Sequence, residues 1–522
     1  MPERAERPRK AQRLLVKHRN DGYGQPRFES TDEEAEGAVT RDDASPSGSD
    51  GSPTDSVQTA LDRGRSAIAS GRSRLTRNRL RVGFVLVLLL CAGVLAYGAA
   101  TATTTANAEA VPEAPPTENH TVVTESGRYG TITAFEPDGS LQYYNNSHTK
   151  YFDVDPVEGE SMTVEYAATD TIHTSGPNCR SPPCARNILE RANLSTGETE
   201  VLYERVDHTE TAAEWHDVDR INETHVVVAD MVADQIFVVN TETEIVTWLW
   251  DAQSEFPLDE GGAYPGDWAH LNDVEVLPDG RIMASLRNQD QVVFINRSTG
   301  LQEDWTLGAE DEYDIQYEQH NPDYIPEERG GPAVVVADSE NGRVQEFQRE
   351  DGEWVRTWEW ADEQMQWPRD ADRLPNGNTL IADSNGKRVV EVNPEGEIVW
   401  EVDMSLPYDA ERLETGDESA GGQSARELGL ESQTVEESDE GGGGTFGFDP
   451  FDRVESTVAG LIPHRIHNGI VYISPVWMGD TEFGAAFVAI LIALSWVGLE
   501  SRWKLRDAGV GFRSPVTRRG DS

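Results

Sequence analysis

The sequence predicts an all-β fold: a six-bladed β-propeller flanked by two transmembrane helices and by disordered acidic or polar segments. Three observations carry this expectation. Trp215-His216-Asp217, Ala269-His270-Leu271-Asn272-Asp273 and Gln319-His320-Asn321 repeat one phase of a strand pattern, at the roughly fifty-residue interval of a four-stranded blade. From about 120 to 405, short alternating strands follow one another with turn signals between them. Two uncharged apolar runs, 82–100 and 483–499, stand apart from an acidic background.

Taken in order, residues 1–60 are polar, with Ser-Pro-Ser-Gly-Ser-Asp-Gly-Ser-Pro at 45–53, and lack the apolar periodicity of a folded segment. Residues 61–81 form a basic juxtamembrane segment, and 82–101 are about long enough to span a bilayer as a helix. Residues 102–118 read as a Thr/Ala/Pro stalk. The propeller is expected over 119–408, with blade-like units beginning near 122, 161, 214, 268, 319 and 367. Its units share a script: a strand after the histidine, a turn such as LPDG or LPNGN, and a second strand ending in a polar turn. A third strand follows, then a fourth that closes on Trp248, Trp305, Trp358 or Trp400. Asp279-Gly280 and Asn376-Gly377 suit turns because the second residue needs positive φ. The acidic, Gly-rich stretch 409–450 reads as a self-repelling linker, and 451–482 as a juxtamembrane element with His464 and His467 at the membrane interface. A second span at 483–499 leads into a basic tail, 500–522.

Charge bounds the function. The formal net charge is −50, and the only lysines are Lys10, Lys17, Lys150, Lys387 and Lys504. Such a surface stays hydrated in concentrated salt, which points to a halophile, with an archaeal origin expected, and argues against a nucleic-acid partner. Arg63, Arg65, Arg72, Arg74, Arg77, Arg79 and Arg81 precede the first apolar run; Arg502, Lys504, Arg506, Arg513, Arg518 and Arg519 follow the second. The positive-inside rule then predicts a two-pass membrane protein with both termini cytoplasmic and the propeller extracellular. An external location fits a disulfide between Cys179 and Cys184, and five Asn-x-Ser/Thr sequons beginning at Asn119, Asn145, Asn193, Asn222 and Asn296. Cys91 lies in the apolar run. The two external cysteines offer too few ligands for a metal, and neither metal nor cofactor is expected.

The first strand of a propeller blade lines the central channel, so His216, His270, His320 and, in the sixth blade, Arg369 are expected around one axis. Desolvated cationic donors of this kind suit a small anion. The segments DWAHLNDVEVLPDGRIMASLRNQDQVVFINRSTG (267–300), YEQHNPDYI (317–325) and DADRLPNGNTLIA (370–382) resemble the bacterial arylsulfotransferase family. The family pattern has a His-x-Asn pair, an Arg in a Ser-x-Arg context and a later Gln-His; this chain supplies His270 and Asn272, Ser285-Leu286-Arg287, and Gln319-His320. The resemblance spans roughly 213–403. It implies a six-bladed propeller that moves a sulfuryl group from an aryl sulfate to a phenolic acceptor without a nucleotide donor. It implies His320 as the transiently sulfurylated nucleophile, with His270, Asn272 and Arg287 holding the sulfuryl oxygens and His216 as a donor or proton shuttle. Arg369 rests on blade phase alone. VVVADSENGRVQEFQ in the fifth unit resembles an NHL repeat, and the alternative expectation is a non-catalytic propeller that binds a ligand or a cell-envelope partner.

Overall fold

The computed structural model describes residues 53–101, 105–127, 129–208, 213–434, 464–475 and 477–509. The expected disorder of 1–52, the linker residues 435–450 and the tail beyond 509 lie outside these residues. Contacts divide the chain into a unit of residues 1–76 and a second of 77–522 that holds every strand.

Six sheets form the propeller. The second blade runs Lys150–Pro156, Thr163–Ile172, Cys184–Asn193, Thr199–Asp207; the third Trp215–Asn222, His225–Asp230, Gln235–Asn240, Ile245–Asp251. The fourth runs Leu271–Val276, Ile282–Leu286, Gln291–Asn296, with short outer strands Gly300–Leu301 and Leu307–Gly308. The fifth runs His320–Ile325, Ala333–Asp338, Arg343–Glu350, Glu353–Ala361, and the sixth Pro368–Arg373, Thr379–Asp383, Arg388–Val392, Ile398–Asp403. The first blade takes Thr121–Glu125, Thr131–Phe135 and Leu141–Asn145 from the start of the domain and its innermost strand, Pro407–Arg412, from the end. That exchange closes the ring: each inner strand touches the next, and the last touches the first.

Apolar residues of adjacent blades make the walls. Val227, Ala229 and Trp250 of the third blade pack with Leu271, Val274 and Ile282 of the fourth, and Val123 and Phe135 of the first with Leu380 and Trp400 of the sixth. Outer-strand tryptophans stitch neighbours: the indole N–H of Trp248 donates to the Arg297 carbonyl at 2.9 Å, and that of Trp400 to Pro115 at 2.7 Å.

Every inner strand carries a β-bulge near its first residues. The pairing register slips between Tyr151 and Val154, Trp215 and Val218, Leu271 and Asp273, His320 and Asp323, and Pro368 and Asp370. On the closing strand, Asp409 and Pro407 face consecutive partners, leaving Tyr408 as the extra residue. A bulge re-aims the side chain it carries, which bears directly on the site below.

Two expectations about the propeller are corrected. The second blade begins at Lys150 rather than near 161, because its inner strand is Lys150–Pro156. Residues 409–434 are not linker: Pro407–Arg412 is the closing strand, and the chain then crosses the propeller floor. There the Ser419 hydroxyl donates to Asp323 at 2.6 Å and accepts from the Arg373 amide at 2.7 Å. A Cβ on Gly422 would lie 1.9 Å from the Arg373 carbonyl oxygen, so only glycine lets the strap lie this close. Acidic composition suggested a solvated linker, but these carboxylates and small residues are used in a crowded groove.

Helix α1 (Pro53–Thr101) joins what the sequence divided into a disordered end, a basic segment and a span, as helix propagation from an apolar nucleus permits. Of the remaining helices, α2 is Ala425–Leu428, α3 His464–Ile473 and α4 Asp480–Asp507. Stretches Thr76–Thr101 and Thr481–Asp507 are long and apolar enough to cross a membrane. Arg77 pairs with Asp507 at 2.7 Å, and Phe84 meets Trp496 at 5.9 Å between ring centres, so α1 and α4 run antiparallel. Cys179 and Cys184 form a disulfide, and Cys91 is a buried free thiol.

Candidate functional site

The bulged residues and their neighbours converge. The His216 ring stacks on Phe152 at 4.5 Å and meets His270 edge-on at 5.2 Å. Tyr408, fully buried on the closing strand, lies 5.6 Å from His216 and 6.4 Å from His320 between ring centres. The Arg369 guanidinium sits 4.4 Å over Trp367 and 5.0 Å over Tyr408. All three histidines and Arg369, drawn from four blades, therefore share one mouth of the channel.

His320 opens its strand at 1 % exposure. Its Nδ1 lies 2.8 Å from the Ser339 hydroxyl, whose own proton goes to the Pro368 carbonyl at 2.7 Å. A hydroxyl has one proton, so Ser339 must accept from Nδ1–H, and the lone pair is left on Nε2. Burial, reinforced by Arg369 and Arg287, holds the imidazole well below the usual histidine range. A neutral ring with a free Nε2 is the form a nucleophile requires.

His270 is held differently. It sits at φ +50°, in the left-handed region, where a non-glycine residue is uncommon. Its Nδ1 donates to Asp267 at 2.6 Å, while Nε2 accepts from Arg287 at 2.9 Å. Burial and then Arg287 lower its pKa. With both nitrogens engaged, His270 orients Arg287. The same guanidinium also bonds Glu318, so Arg287 is a neutralised, positioned donor.

Among the described residues His216 has no hydrogen-bond partner on Nδ1, and burial followed by His270 and Arg369 places its pKa well below the usual value. Asn272 is fully buried, and its amide donates to the Gln319 carbonyl at 2.9 Å. It thus fixes the residue before His320. Arg369 is the contrast: at 6 % exposure its NH1 donates to Ser126 at 2.5 Å, and it makes no ion pair with a carboxylate among the described residues. Burial lowers its pKa, and the Tyr472 hydroxyl is within hydrogen-bonding reach.

Sequence reading missed four contributors. Lys150, which bonds Glu214, opens the inner strand of the second blade and acts electrostatically on His216. Phe152 and Tyr408 are the bulged positions of two blades that carry no histidine at the bulge, and the Tyr408 hydroxyl donates to the Asn272 carbonyl at 3.4 Å. Tyr472 arrives from α3. That helix packs on the propeller, contrary to the interfacial role expected for its residues. The His467 ring is 2.9 Å from Gln366, Asn468 donates to Glu340 at 3.0 Å, and Tyr472 meets Trp367 at 5.3 Å. The acidic ends of second strands face elsewhere: Asp230 binds Arg205 at 2.8 Å and Asp383 binds Arg388 at 3.0 Å.

One layer below, each inner strand turns acidic. Asp153, Asp217, Asp273, Asp323, Asp370 and Asp409 form one ring, and Asp155, Asp219, Glu275, Asp372 and Glu411 lie two residues further on, all buried. Several knit blade to blade: Asp409 accepts from the Val154 amide at 2.7 Å, Asp217 from Val274 at 2.6 Å and Asp370 from Ala410 at 3.2 Å. Burial, and then like charge, pushes the Asp153, Asp273 and Asp372 carboxyls well above the usual range. The repeated Asp-x-Asp/Glu of DVD, DVE, DAD and DAE is the signal that could have located the closing strand.

No curated protein matches the chain. Solved structures that align with it include a protein of unknown function from Bacteroides caccae, at 12 % identity over 56 % of this chain and 97 % of that one, TM-score 0.38. A periplasmic gluconolactonase of Pseudomonas aeruginosa aligns at 13 % identity over 57 % and 99 %, TM-score 0.37. Virginiamycin B lyase of Staphylococcus aureus aligns at 10 % identity over 45 % and 73 %, TM-score 0.28. The arylsulfotransferase family model matches residues 215–364, the stretch that carries His216, His270, Asn272, Arg287 and His320.

Proposed function

We propose that this protein transfers a sulfuryl group from an aryl sulfate ester to a phenolic acceptor by way of His320. The observation that carries the reading is the pairing of a neutral His320, its lone pair on Nε2, with the buried guanidinium of Arg369, which among the described residues makes no ion pair with a carboxylate. The family match supports the reaction class.

In the first half-reaction Nε2 attacks sulfur; the N–S bond forms as the S–O bond to the aryl group breaks, and that electron pair leaves on the phenolate. Arg369 offsets the charge on the sulfuryl oxygens and the leaving oxygen, and Arg287, its own charge balanced by Glu318, donates N–H hydrogen bonds to them. In the second, a phenol gives its proton to His216 as its oxygen attacks sulfur, and the pair of the N–S bond returns to Nε2. The acceptor needs such help because a free phenol has a pKa near 10. Asn272 positions the strand start, and no step calls on a metal or nucleotide.

The basic segments flanking the two candidate spans support a two-pass anchor with the propeller outside. The acidic, lysine-poor composition supports work in concentrated salt, as in haloarchaea. Protease accessibility of the propeller on intact cells tests the first of these. The catalytic reading is tested by mixing the full chain with an aryl sulfate and no acceptor, then mapping adducts by mass spectrometry. A sulfuryl adduct on His320, absent in His320→Asn, is expected. A folded protein with neither adduct nor phenol release across several donors would leave a ligand-binding propeller as the better account.

A further inference from the structure

The mechanism makes no use of the acidic layer beneath the histidines, and one part of it is built like a ligand set. Asp323 of the fifth blade and Asp370 and Asp372 of the sixth are all buried and offer oxygens within 4.8 Å of one another. Independently, Glu411 approaches this set from the closing strand, which packs against the inner strand that carries Asp370 and Asp372. It is 2 % exposed, its Oε2 has no hydrogen-bond partner among the described residues, and its charge acts on Asp372. The Oδ2 of Asp372, also 2 % exposed, likewise has no partner.

Other oxygens of the set are held by donors. Asp370 accepts from the Ala410 amide at 3.2 Å, Asp323 from the Ser419 hydroxyl at 2.6 Å, and Glu411 from the Glu418 amide at 2.9 Å. Such contacts orient the remaining oxygens, as outer partners do around metal ligands. Arg412, whose guanidinium feels Asp372, is engaged by Glu391 at 2.6 Å and by Thr121. Buried carboxylate oxygens without a donor are costly unless something positive joins them.

We propose that Asp323, Asp370, Asp372 and Glu411 bind one calcium-class divalent cation that fastens the closing strand of the first blade to the fifth and sixth. An all-oxygen, carboxylate-rich set is hard-cation chemistry. Calcium binds oxygens at about 2.3–2.6 Å, so two of its ligands can be nearly 5 Å apart; magnesium, at about 2.1 Å, needs a tighter cluster and keeps its water. The role is structural: the ion would brace the closing strand, Pro407–Arg412, against the inner strands of the fifth and sixth blades, while the same strand pairs with Thr121–Glu125 from the start of the domain.

The test uses the full chain in detergent micelles, stripped with chelator and exchanged into metal-free buffer. Calcium is expected to raise the melting temperature in a saturable manner, magnesium much less, with about one calcium per chain retained through gel filtration by elemental analysis. Asp372→Asn should lose the bound calcium and the melting response, and Glu411→Gln should weaken binding about tenfold or more. Should Asp372→Asn fail to fold, the wild-type titration and Glu411→Gln still decide. A stripped wild-type chain that binds no calcium and melts alike with and without it overturns the proposal. So does full calcium retention in both variants.

Discussion

The mouth of the channel and the layer below it are built at the starts of the same six inner strands, one to three residues apart, yet their chemistry is opposite. At the mouth stand His216, His270, His320 and Arg369, whose pKa values burial drives down. One step deeper stand Asp217, Asp273, Asp323 and Asp370, driven up by the same burial. Desolvation favours the neutral form of either group. The imidazoles can accept that outcome and remain useful as nucleophile or base. Arg369 cannot readily shed its proton, and so it is left as a buried cation suited to an anionic substrate. Asp217 and Asp370 relieve their burial by accepting inner-strand amides from the next blade. The bulge separates the two layers, turning residues one to three positions apart on one strand toward one axis.

The comparison can be broken at the mouth first. His320→Asn should lower turnover of an aryl sulfate by about 10³-fold or more, as loss of a nucleophile does, with the circular dichroism spectrum and melting temperature unchanged. Retained turnover would remove His320 from the chemistry. Arg369→Gln should cost about 10²–10³-fold in kcat/KM, the scale of a lost donor to developing charge. An effect confined to KM would make Arg369 a ground-state binder only.

In the layer below, Asp409→Ala leaves the buried Val154 amide without its acceptor. It should destabilise the chain by about 1–3 kcal/mol, read by denaturant melts, with the kcat of the folded fraction preserved. Ser339→Ala sharpens the tautomer argument: freeing Nδ1 of His320 should lower kcat about tenfold, while a free imidazole in the buffer restores nothing.

The smallest effect is a pH dependence outside the channel. His148 lies between Asp170 at 3.1 Å and Glu190 at 3.2 Å; burial opposes its charge, but these bonds push its pKa up to about 9. Since the folded state holds the proton more tightly than the unfolded chain, this stabilisation is full below about pH 6.5 and is lost as pH rises through about 9. His148→Gln should flatten the melting temperature across that window, and an unchanged slope would assign the dependence elsewhere.

Much of the architecture was legible in the sequence because it is periodic. Equivalent histidines, turn dipeptides and closing tryptophans recur at the length of a blade, and two runs free of charge mark the candidate spans. The three histidines and Arg369 could be assigned to one axis by phase, and Asn272 and Arg287 joined them through the family resemblance. Tyr408 and Glu411 could not, since PYDAER lies beyond the last complete blade, beside a stretch whose composition resembles a linker. Only ring closure gives that segment a partner, through pairing with residues 121–125 almost three hundred positions earlier.

Local sequence, then, determined which segments become strands and helices, for alternation, turn chemistry and apolar length act over a few residues. The tertiary structure decided which side chains meet. Bulges re-aim residues only once two strands are in register, and α3 brings Tyr472 to Arg369 across a hundred residues of chain. The titration of each group followed from the same cause, because desolvation is a property of the packed ring and not of the residue.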